Sequence, residues 1–245
     1  MFQVIQKFQN NLADIPTHYD KRVVEIKVVD EGDEDLVNLF SLEKSDSRIR
    51  MLPTPEIPLS NENMNAGFHC SYLIRKGLYL RLKILVSALD LINDNKRKIS
   101  VLVFEGLRDL QTQKALFETC FNEFSEKYPD LSSIEVRKLA EKFVTPPEKE
   151  PPHSTGGCVD IRLFDDDNNT FLDLGKFGLF WGVNEQAHMF CANLTDEQKE
   201  NRRMLLTASA MAGLVNYPYE WWHFSYGDKF YAYCAEEDHA IYKSI

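Results

Sequence analysis

The sequence predicts an α+β fold, a mainly antiparallel central sheet flanked by helices. Two observations carry that expectation: short β-branched and aromatic runs stand between stretches of helical periodicity, and the helices are of unequal length with no regular strand–helix–strand rhythm. With 245 residues, 44% hydrophobic and 12% aromatic, the chain has material for a substantial core. The expected division is an irregular N-terminal extension over residues 1–60, packed on a body spanning 61–245.

The extension is read as irregular because an acidic stretch, Asp30 to Asp35, precedes Pro53, Pro55 and Pro58, which deny both helix and central strand. Leu78, Leu82, Leu85, Leu89 and Ile92 recur at three- and four-residue steps and predict a helix over 77–94. Lys96, Arg97 and Lys98 then suit the negative end of that helix dipole. Ile99 to Phe104 reads as a buried strand whose end, Glu105 to Arg108, can point into a cleft, and a helix follows over 109–127. An amphipathic stretch, Ile134 to Phe143, is closed by Pro146 and Pro147, and Pro151 and Pro152 complete the bracket around a loop. Cys158 to Phe164 reads as a strand, and Asp165 to Asn169 as a solvated turn that lacks the later spacing of a calcium loop. Thr195 and Gln198 form a capping-box pattern opening a helix to about Ala212, with Gly213 at its stop, and Glu220 to Tyr226 has the aromatic content of a strand.

Composition narrows the function. A net charge of -10 argues against binding a phosphate backbone, so no nucleic-acid partner is expected. The stretch MFQVIQKFQNNLADIPTHYDKR lacks the apolar run of a signal peptide, and no stretch reaches the ~18 apolar residues of a membrane span. The expectation is a cytoplasmic protein with no membrane partner. Cysteines 70, 120, 158, 191 and 234 are odd in number, scattered and without a CxxC pair, which points to reduced structural thiols.

A catalytic zinc takes about three His or carboxylate ligands and keeps one position open. His153 lies in a proline-led loop just before Gly156 and Gly157, and Asp160 lies on the strand that those glycines introduce. Glu220 and His223 are three apart; a regular strand would put them on opposite faces, whereas a turn after Pro218 lets both meet one point. In such a site the glutamate serves as the base toward the attacking water. Taken singly these residues have plainer readings: a core histidine, a glutamate paired with an arginine, two core tryptophans, and Arg108 as a cation at a helix start.

The joint pattern is more specific. HSTGGCVDIRL (153–163) and EWWHF (220–224) resemble the D-alanyl-D-alanine dipeptidases of the vancomycin-resistance type, within the wider group of D-Ala-D-Ala zinc peptidases. The likeness to the family motifs SxHxxGxAxD and ExWH extends through FEGLRD (104–109) and ENRRMLLTASAMAGL (200–214), covering about residues 65–230. It implies one Zn2+ per chain on His153, Asp160 and His223, Glu220 as catalytic base, Arg108 at the oxyanion, and a small peptide, D-Ala-D-Ala or a relative, as substrate.

Three positions depart from the family pattern. Pro151 stands where the motif has serine and Cys158 where it has alanine. The segment after Gly175, Lys176 to Gly182, has no carboxylate for a substrate amino group, leaving Asp173 or Glu185 to substitute. Pro151 and the missing carboxylate support an alternative, a zinc D,D-carboxypeptidase or muropeptide peptidase. A zinc-bound module without activity is the alternative of another class.

Overall fold

A computed structural model describes residues 15–29, 34–42, 48–51, 72–176 and 185–245. Asp30 to Asp33 of the acidic stretch, Pro53, Pro55, Pro58, Cys70 and residues 177–182 of the departing segment lie outside the described residues.

In chain order the elements are α1 (Lys21–Val24), β1 (Leu36–Asn38), α2 (Leu39–Leu42), β2 (Ile49–Met51), β3 (Leu73–Arg75), α3 (Lys76–Ile92), β4 (Ile99–Glu105), α4 (Leu110–Lys127) and α5 (Ser133–Ala140). They continue with β5 (Cys158–Asp165), β6 (Thr170–Phe171), α6 (Asp196–Met211), β7 (Val215–Asn216), β8 (His223–Ser225) and α7 (Lys229–Ala235). The main sheet runs β2-β4-β5-β8-β7, with β6 also on β5. Its pairings are antiparallel except that of β2 with β4, so the mainly antiparallel α+β expectation holds with one parallel edge pair.

The helix periodicity translates directly into burial. Leu78, Leu82, Leu85 and Leu89 on α3 are fully buried and join Val101 and Val103 of β4, Ile161 and Leu163 of β5, and Leu205 and Ala208 of α6 in one core. The capping box of α6 forms as its sequence predicts: Thr195 Oγ1 accepts from Gln198 N, Gln198 Oε1 accepts from Thr195 N, and Gly213 follows at φ +73°. Asp109 caps α4 by accepting from Thr112 N.

The basic run after α3 differs from expectation. The helix ends at Ile92 with Asn93 as its cap and has no cation in its last turn. Lys96 pairs with Asp94, while the Arg97 side chain and the Lys98 backbone face Asp165 and Asp167 of the β5–β6 turn. That turn is closed by Asp165 Oδ1, which accepts from the backbone N–H of both Asp167 and Asn168.

Trp221 anchors the core beneath the β7–β8 turn. It is fully buried, and its indole N–H donates to the Lys176 carbonyl at 3.1 Å. Arg202 lies over its ring and donates to the carbonyls of Leu174, Gln186, His188 and Met189. Trp221→Ala is expected to cost about 3–5 kcal/mol through the cavity it leaves, read as a lower denaturant midpoint at unchanged slope.

The N-terminal extension, expected to be irregular, contributes regular structure: β2 is an edge strand of the main sheet beside β4 and β1 pairs with β3, while residues 15–29 lie against the other end of the sheet. Ile15 and Val23 bury against Val215, Tyr217, Phe230 and Cys234. Tyr219 Oη donates to the Ile15 carbonyl at 3.1 Å, and Lys229 Nζ to that of Val24 at 2.8 Å. Among the described residues no helix is long and apolar enough to cross a membrane.

Candidate active site

Sheet register sets the first part of the site. Asp160 on β5 is directly opposite Glu105 of β4 on one side and His223 of β8 on the other. Directly opposed residues on neighbouring strands share a face. The register shift between Val103 and Glu105 is what brings Glu105 level with Asp160.

His153 reaches the same point from a loop. Pro151 and Pro152 open a short 3-10 turn over Pro152–Thr155, and Gly156 follows at φ +68°, a left-handed conformation that glycine adopts without steric cost. At Gly157 a β-carbon would come within 2.6 Å of the Tyr226 carbonyl oxygen, so only glycine lets the loop close onto β8. Backbone bonds from Arg75 N to Gly156 O and from Arg108 N to His153 O hold the loop against the ends of β3 and β4.

The three-residue spacing of Glu220 and His223 is resolved by a turn. Glu220 N donates to the Tyr217 carbonyl, and His223 N to that of Glu220. Asn216 Nδ2 donates to the carbonyls of both Glu220 and His223, at 3.0 and 2.9 Å. Regular strand begins only at His223, so Glu220 approaches from the turn rather than from the opposite face of β8.

The donor atoms converge. Asp160 Oδ1 lies 2.9 Å from His223 Nδ1 and 3.4 Å from His153 Nε2, and Glu220 Oε2 lies 3.9 Å from His223 Nδ1. His153 Nδ1 is 2.7 Å from the Gly106 carbonyl, which only accepts, so Nδ1 carries the proton and Nε2 presents its lone pair. Two imidazoles and a carboxylate, all buried and with one tautomer fixed from behind, fit a catalytic divalent zinc.

Electrostatics follow from this crowding. Burial raises the Asp160 carboxyl, but the adjoining His153 and His223 outweigh it and hold it well below the ordinary range. For His153, burial disfavours the charged form, yet Asp160 and Glu105 outweigh it and raise the imidazole. Glu220 is pushed up to about 7, chiefly by burial, with Asp160 and Glu105 adding to the shift and His223 and Arg108 opposing it. Burial also pushes the Cys158 thiol well up, consistent with a compact neutral filler beside Asp160.

Comparison with known proteins gives the family. Residues 86–240 match the family model described as D-ala-D-ala dipeptidase. The chain belongs to the D-Ala-D-Ala dipeptidase family.

Membership makes it a zinc-dependent metallopeptidase. It is similar to a D-alanyl-D-alanine dipeptidase of Synechocystis sp., 27% identical over 199 residues that cover 71% of this chain and 77% of that protein. An Enterococcus faecium D-alanyl-D-alanine dipeptidase is 25% identical over 104 residues, covering 42% and 48%. Among solved structures, VanYB in complex with D-alanine-D-alanine superposes with a TM-score of 0.45 at 15% identity, covering 88% of this chain and 93% of that one.

In this dipeptidase-family chain, Arg108 stands at the β4 end and is held by two side chains. It donates to both oxygens of Glu105, at 2.7 and 2.6 Å, and to Gln113 Oε1 at 2.9 Å, while Gln113 Nε2 donates to the Thr145 carbonyl. Bidentate pairing fixes the plane of the guanidinium. Glu105 and Gln113 were not singled out from the sequence; the Glu-x-x-Arg spacing at the strand end was the available signal. Asp173 and Glu185 have other partners: the Asp173 carboxylate accepts from Gly175 N and Gln198 Nε2, and Glu185 from Asn193 Nδ2. Pro151 accepts the Ser154 N–H at its carbonyl, so the serine-to-proline departure falls at the start of the turn that carries His153.

Proposed function

We propose that this metallopeptidase hydrolyses the D-Ala-D-Ala dipeptide to D-alanine, with zinc on His153, Asp160 and His223, Glu220 as catalytic base and Arg108 at the oxyanion. The observation that carries the reading is the convergence of the three ligand atoms with Glu220 beside them, together with family membership. His153, Asp160 and His223 would hold the zinc, which when bound would supply Lewis-acid polarisation of the scissile carbonyl and a more acidic attacking water. Glu220 takes the proton from that water and returns one to the leaving amine; burial in the cleft raises its proton affinity, which favours it as the proton acceptor. Arg108, already oriented by Glu105 and Gln113, supplies fixed positive charge toward the oxyanion without needing to reorganise.

The substrate assignment is tested by release of free D-alanine from D-Ala-D-Ala by the zinc-loaded protein. No turnover with stoichiometric zinc bound would overturn it. A second reading, a D,D-carboxypeptidase or muropeptide peptidase, is favoured by the engagement of Asp173 and Glu185 elsewhere; release of terminal D-alanine from a longer peptide in preference to the dipeptide would select it.

The reading places the protein in cell-wall peptide metabolism in the cytoplasm, which the free state of the described cysteines supports. It takes 61–245 as the peptidase domain and 1–60 as an extension joined to it, whose β2 completes the edge of the main sheet.

A further inference from the structure

His18, contributed by the N-terminal extension, stands beside the ligand cluster. Its ring stacks on Tyr217 with centroids 3.8 Å apart and planes 21° apart, meets Phe230 edge-on at 4.9 Å, and lies 5.1 Å from the ring of His223. The ring is placed by the fold, because Ile15 is tied to Tyr219 on one side and α1 to Lys229 on the other. Its Nε2 is buried and has no hydrogen-bond partner among the described residues.

Packing alone does not account for an imidazole there. A phenylalanine would make the same stack without burying an unpartnered nitrogen, which costs free energy in an apolar setting. A polar atom left unpaired beside a site is a position that a bound ligand can satisfy. Across the site, Arg108 and Glu105 lie at the β4 end of the row through Asp160 and His223, and His18 lies beyond His223 at the β7 end. A peptide spanning the ligands with its scissile carbonyl toward Arg108 therefore extends toward His18.

We propose that His18 is a specificity-determining residue, its Nε2 hydrogen-bonding the peptide bound across the metal ligands on the side remote from Arg108. The extension is then part of the substrate site rather than only a cover for the sheet edge. This rests on the peptidase reading above.

The test compares His18→Phe, which keeps the stack and removes the nitrogen, with His18→Gln, which restores a polar group, in the zinc-loaded full-length chain. For D-Ala-D-Ala, the Phe variant is expected to raise KM about tenfold to hundredfold, with kcat affected less, zinc content unchanged and the thermal midpoint equal or higher. Partial recovery of KM in the Gln variant supports the hydrogen bond. Calorimetric titration of D-Ala-D-Ala into zinc-loaded Glu220→Gln, with and without His18→Phe, reads the same loss without turnover. A Phe variant with wild-type KM and binding, or one that loses zinc, would overturn the role while leaving the peptidase reading intact. Absence of turnover by the wild type would remove both.

Discussion

Glu220→Gln is expected to lower kcat for D-Ala-D-Ala by about 10²–10⁴-fold while zinc content and thermal midpoint stay those of the wild type. The substitution keeps the side chain's shape and removes only its capacity to take a proton. The turn over 217–223 is closed by backbone bonds and by Asn216, none of which involves the Glu220 carboxylate, so the variant has no structural reason to unfold. A base must be ionised to act, so kcat/KM is expected to fall as pH drops through the Glu220 pKa. Burial sets that pKa near 7 in the protein alone, and the charge of a bound zinc, favouring the carboxylate, moves the acidic limb below that value. A Gln variant that turns over at the wild-type rate would remove Glu220 from the mechanism; loss of zinc together with activity would make it a ligand instead of a base.

The sequence made part of this legible for identifiable reasons. Helical periodicity is a local property, so the leucines of α3 and the capping box of α6 announced elements that the structure contains almost residue for residue. His153, Asp160, Glu220 and His223 were legible as two short motifs, since a glycine turn and a turn after Pro218 are each written within a few residues. The meeting of the two motifs depends on a register, Asp160 opposite His223, that pairs positions 63 residues apart in the chain. No local pattern specifies it. The partnership of Glu105 with Arg108 was within reach at three residues' spacing, yet the row it forms with Asp160 depends on a register shift in β4. His18 left no trace at all: it is a lone histidine in a segment read as irregular, and its place beside His223 is decided by Ile15 and Val23 burying against β7 and α7. The basic run at 96–98 was misplaced for the converse reason, because a helix dipole is a local cue and the acidic turn facing it is brought by β5.

Zinc loading is expected to raise the thermal midpoint, and Asp160→Asn to abolish that rise together with turnover. Binding to the folded chain alone stabilises it by RT ln(1 + [Zn]/Kd), about 2.7–4.1 kcal/mol at 100 to 1,000 times Kd. For a chain of this length that corresponds to roughly 5–16 °C. Asp160 is the residue on which the effect turns, since its Oδ1 approaches both histidine nitrogens, at 2.9 and 3.4 Å, and it supplies the site's carboxylate between them. Asparagine matches its shape but carries no charge. The variant therefore leaves a cation with two neutral imidazoles, and the tight tuning of the Asp160 carboxylate by both histidines is lost. Differential scanning of wild type and Asp160→Asn, each with and without chelator, separates metal from fold. The wild type should lose its midpoint shift and its activity on chelation and regain both with zinc, whereas the variant should show one midpoint throughout. A variant that still shifts by the wild-type amount would place the metal elsewhere than on His153, Asp160 and His223.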